Sequence, residues 1–67
     1  MFNGKKLSEY LKDKGISQSA LARELGVSEG AVRHIIVGIK QPSLYMATEL
    51  AKMMGCTIEE LLIKKEV

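Results

Sequence analysis

Apolar residues recur along this chain at helical spacing, in short blocks punctuated by glycines. From Asn3 onward Leu7, Tyr10 and Leu11 fall on one helix face, and Gly15 follows Lys14 where a C-terminal cap belongs. Ser17 is placed to cap a second segment whose stripe is Ala20, Leu21 and Leu25, and Gly26 ends it after two turns. Ser28 heads a third segment in which Val32, Ile35 and Ile36 share a face, and Gly38 stops it. Ile39 to Pro42 is a loop by its proline; Ser43 then opens a fourth segment with Leu44, Ala47, Leu50, Ala51 and Met54, ended by Gly55. Thr57 and Glu60 have the spacing of a capping box ahead of Leu61, Leu62 and Ile63, which predicts a short fifth helix. The pattern therefore predicts an all-α, compact five-helix bundle. One domain spans 1–67, with the second helix over about 18–25, the third over about 28–37, and 64–67 as a frayed charged tail.

Composition narrows the picture. Only Phe2, Tyr10 and Tyr45 are aromatic, so the core must be built from Leu, Ile, Val, Met and Ala, which suits packed helices and gives no reason to expect strands. A chain of 67 residues, 46% apolar and 27% charged, has the make-up of one small globular domain. Cys56 and His34 are each the sole residue of their type, so one chain offers neither a disulfide nor a Cys/His zinc site, and no metal or cofactor is expected. With no disulfide framework and no long apolar run, the expected setting is cytoplasmic, without a membrane span. Cys56 reads as a small hydrophobe, and Met46, Met53 and Met54 as core or dimer packing. Nothing resembles a catalytic cleft or a phosphate-cradling loop, so an enzyme or a small-molecule substrate is not expected. A formal net charge of +2 permits a nucleic-acid partner without requiring one.

The informative feature is the tight joint between the second and third segments, carried by Gln18, Ala22, Gly26, Val32 and Ile35. Ala22 must be small if a following helix crosses closely there. Gly26 supplies a positive φ that another residue adopts only at a cost of roughly 1 kcal/mol or more. Val27, Val32 and Ile35 then anchor the third helix from beneath and leave its opposite face free. Together these positions describe a helix-turn-helix.

Over nearly its whole length the sequence resembles the Cro and phage-repressor class of helix-turn-helix domains, the XRE family. The resemblance runs through Gly15-Ile16-Ser17-Gln18, Leu21-Ala22, Leu25-Gly26-Val27-Ser28, Gly38, Pro42-Ser43, Leu50-Ala51, Gly55 and Glu60-Leu61-Leu62. It implies a lambda repressor-like domain that binds palindromic double-stranded operator DNA as a homodimer, a small prokaryotic or phage transcriptional regulator, expected to be a repressor. Its third helix would enter the major groove. Base-contact candidates are Glu29, Gly30, Arg33 and His34: Arg33 can donate twice to guanine, His34 can donate or accept, and Gly30 permits close approach. Glu29 also has a simpler role as a first-turn carboxylate favoured by the helix dipole. Phosphate-contact candidates, by analogy, are Gln18, Lys40, Gln41 and Ser43, with helix capping the competing role for Gln18 and Ser43. Lys5 and Lys6 read as solvated surface.

The chain departs from the family pattern in two places. Many relatives pair an arginine late in the first helix with a glutamate late in the third; here Leu11 and Ile36 stand instead, and they are expected to pack on each other. Glu29 and Gly30 replace the small polar residues that often face bases. Together with the low net charge and the apolar Val37 and Ile39, this keeps open a second function, a protein-interaction module such as an antitoxin or anti-regulator.

Overall fold

The computed structural model describes residues 1–63. Four helices follow one another, α1 (Gly4–Lys14), α2 (Gln18–Leu25), α3 (Glu29–Val37) and α4 (Leu44–Met54), before a single 3-10 turn at Glu59–Leu61. Each helix begins on a side chain that satisfies an otherwise orphaned amide. Asn3 accepts from the Lys6 N–H at 3.2 Å, Ser17 from Ala20 at 3.0 Å, and Ser28 and Ser43 from Ala31 and Met46 at 3.1 Å. Each such cap is worth about 1 kcal/mol. The glycine that ends α2 matters most, because Gly26 at φ +71° turns the chain so that α3 starts three residues later.

The expected fifth helix is replaced by that single turn. Its cap does form, the Glu60 N–H donating to Thr57 Oγ1 at 3.2 Å. Two non-local demands then end the segment. Leu61 is fully buried as a core plug, and Leu62 turns to an extended conformation and bridges antiparallel to Phe2. The Asn3 N–H donates to the Leu61 carbonyl and the Ile63 N–H to the Met1 carbonyl, both at 2.7 Å. Pairing with the N-terminal segment thus supplies the backbone partners that another helical turn would have supplied. The charged tail at 64–67 lies outside the described residues.

Leu7, Leu21, Val32, Leu50 and Leu61 form the fully buried centre, with Phe2 and Leu11 beside them. Ala22 is buried where α2 and α3 pack, as a close crossing requires. Leu11 lies in the core and Ile36 is half-buried against the core cluster as a whole, and no polar or charged residue is buried among the described residues. Apolar residues at both positions avoid the desolvation cost of burying two charges. Tyr10 donates its hydroxyl to the Met53 carbonyl at 3.0 Å and so ties α1 to the last turn of α4. No helix among the described residues is long and apolar enough to cross a membrane.

Candidate nucleic-acid interface

Burial of Val32 and Ile35 fixes the rotation of α3. With 3.6 residues per turn, the stripe opposite them consists of Glu29, Gly30, Arg33, His34 and Val37, and all five are exposed. A helix with its side chains is about 10–12 Å across and fits a groove about 12 Å wide.

All the candidate residues except His34 gather in two recesses beside this helix. At its N-terminal end, Gln18, Glu29, Gly30 and Arg33 line an open cleft of about 460 Å³ between the starts of α2 and α3. No carboxylate among the described residues lies within ion-pair distance of Arg33; the ion pair formed there is Lys52 with Glu49, at 4.0 Å on α4. The guanidinium donors of Arg33 are therefore available to a ligand. Ser17, not Gln18, caps α2, which removes the competing role for the Gln18 side chain.

Along the flank of α3, the loop residues Lys40, Gln41 and Ser43 edge a smaller, mostly apolar groove of about 200 Å³ whose other walls include Val27, Ala31, Ile35 and Met46. The backbone after α3 folds back tightly, the His34 carbonyl accepting from Ile39 at 2.9 Å and from Lys40 at 3.2 Å. This fixes where the exposed Lys40 side chain leaves the chain. Ser43 accepts from Met46 as a cap but keeps its own hydroxyl proton to donate. Gln41 is partly committed: its Oε1 accepts from the Phe2 N–H at 2.7 Å, which leaves the Nε2 donors for a second partner. His34 stands on the exposed stripe but lines neither recess.

A family model described as helix-turn-helix matches residues 7–61 of the chain, across the three serine caps, the α2–α3 joint and both recesses. The chain belongs to the XRE-type helix-turn-helix family. A relative named as an uncharacterized HTH-type transcriptional regulator of Methanocaldococcus jannaschii is 36% identical over 61 residues, covering 91% of this chain and 92% of the relative. No solved structure matches the chain.

Within this XRE-type domain, the part that sequence reasoning missed is the N-terminal segment. Phe2 reaches Gln41 through its N–H, and Gly4 is buried against the end of α3. Two signals pointed there: a lone phenylalanine in an aliphatic core, and a glycine at the first position of a helix that Asn3 already caps.

Proposed function

We propose that this protein is a sequence-specific double-stranded DNA-binding regulator that acts as a repressor from the cytoplasm, with α3 laid in the major groove. The observation that carries this is the uninterrupted exposed stripe of α3, with a polar cleft holding Gln18 and Arg33 at its start and a largely apolar groove edged by Lys40, Gln41 and Ser43 along its flank. Arg33 and His34 read base edges, Glu29 accepts from a cytosine amine, and Gln18, Lys40, Gln41 and Ser43 grip flanking phosphates. The transcriptional-regulator name of the Methanocaldococcus relative supports the same reading. Two copies bind a palindromic site with half-sites about 34 Å apart. Leu44 and Tyr45 on α4 and Leu62 and Ile63 after the 3-10 turn are exposed apolar residues suited to joining those copies.

Gly30 supplies a test with opposite signs. A Cβ there would meet only Ser28 Oγ, at 4.0 Å, so packing within the chain does not require glycine. Glycine inside a helix costs about 1 kcal/mol relative to alanine. Gly30→Ala is therefore expected to raise folding stability by about 0.4–1 kcal/mol in urea unfolding while weakening binding to a specific duplex. Tighter or unchanged DNA binding by this variant would remove Gly30 from the interface.

The second reading, a protein-docking module, draws on Val37 and Ile39, 59% and 74% exposed on either side of Gly38. Titration onto a labelled mixed-sequence duplex at about 50 and 200 mM salt separates the two, because counterion release makes phosphate binding fall steeply with salt. Binding that weakens steeply supports the DNA reading; no binding at low salt favours the docking module.

A further inference from the structure

The N-terminal segment touches the DNA-facing surface from behind at two points, and both contacts are to backbone or through backbone. The Phe2 N–H holds Gln41 in the loop after α3. Gly4 packs against the end of α3 so closely that a Cβ there would sit 2.3 Å from the Ile36 carbonyl oxygen and 2.5 Å from that of Ile35. These are main-chain atoms and cannot rotate away as a side chain would. The Ile35 carbonyl also accepts from the Gly38 N–H at 3.3 Å, so a shift there passes into the turn that seats Ile39 and Lys40. The segment is itself firmly held. The Phe2 side chain is in the core, and backbone bonds of 2.7 Å join Asn3 to Leu61 and Ile63 to Met1.

We propose that Phe2–Gly4 is a positioning strap for the phosphate-gripping loop, and that Gly4 is a positioning residue for DNA binding although it touches no DNA. The strap sets the distance between the Gln18 recess at the start of α3 and the groove edged by Lys40 and Ser43 along its flank. Two phosphate contacts made by one rigid body demand that spacing, because hydrogen bonds weaken steeply once donor and acceptor are displaced. Lengthening the contact between Gly4 and α3 pushes one recess out of register with the other. The inference rests on the DNA-binding reading above, but the strap has a structural readout of its own.

The test compares wild type with Gly4→Ala, and with a chemically synthesised chain in which an ester replaces the Met1–Phe2 amide, which deletes the Phe2 N–H and weakens the Met1 carbonyl that accepts from Ile63, two bonds of the strap, while keeping every side chain. The ester chain covers the case in which Gly4→Ala does not fold. Binding to a specific duplex is measured per folded molecule, with ethylation interference to map phosphates. The expected result is a loss of roughly tenfold or more in affinity, the size of one hydrogen bond to a charged group, with interference fading at the Lys40–Ser43 phosphate and persisting at the Gln18 phosphate. Full affinity per folded molecule, or equal fading at both phosphates, overturns the strap. Should wild type itself bind no duplex, the DNA reading fails separately. Backbone amide NMR shifts of the free variants then decide: displaced Ile39 and Lys40 signals with an unmoved Gln18 uphold the strap, and unmoved Ile39 and Lys40 signals overturn it.

Discussion

Arg33→Ala is expected to weaken binding to a specific duplex by about 1–3 kcal/mol, roughly five- to 150-fold, and to relax preference at one base pair of each half-site. The effect should be this large because the Arg33 guanidinium is exposed in the cleft beside Gln18, Glu29 and Gly30 and no carboxylate among the described residues pairs with it. A planar donor fork held in that way matches the two acceptors of guanine in the major groove. Fold stability should change little, since surface substitutions without buried partners usually stay within about 0.5 kcal/mol. Fluorescence anisotropy on the specific duplex and on single-base variants checks both parts. Equal affinity with an unchanged base preference would assign α3 readout to other residues, His34 first. Lys40→Ala provides the contrast: a phosphate contact should weaken all duplexes alike and flatten the salt dependence.

Leu50→Ala should act on the core instead of the surface and by a larger amount, about 2–5 kcal/mol of folding stability. Leu50 is fully buried in the middle of α4, within a core that also holds Leu7, Leu21, Val32 and Leu61. A domain of this size seldom has more than about 3–5 kcal/mol to lose, so the variant should be largely unfolded at physiological temperature. Leu44→Ala, six positions earlier on the same helix and 76% exposed, should leave the fold intact. Urea denaturation followed by circular dichroism distinguishes the two. A Leu50→Ala protein as stable as Leu44→Ala would mean that α4 is not the floor on which the core rests.

Local chemistry was the legible part of this fold. Each of Asn3, Ser17, Ser28 and Ser43 caps a helix through an amide only three residues away, and the glycines that end the helices act within a single turn. Such interactions are contained in the order of the residues, so the four helices and the α2–α3 joint could be read directly. The exposed stripe on α3 was legible for the same reason: burial of Val32 and Ile35 turns the other residues outward. The segment after Gly55 misled because its fate is decided at the other end of the chain. Thr57 and Glu60 make the capping contact that their spacing suggested, yet the bridge to Phe2 and the burial of Leu61 stop the helix. Gln41 was visible as a loop residue and phosphate-contact candidate, but its bond to the Phe2 N–H joins positions 39 residues apart, and no periodicity reports that.

The central claim is that α3 reads DNA and that two copies read it together. Selection from a random duplex pool, repeated at two salt concentrations, tests it most directly. The expected result is an enriched site with two-fold symmetry, half-sites about 34 Å apart, and binding that weakens as salt rises. A pool that stays random after repeated rounds, with retention indifferent to salt, would contradict it.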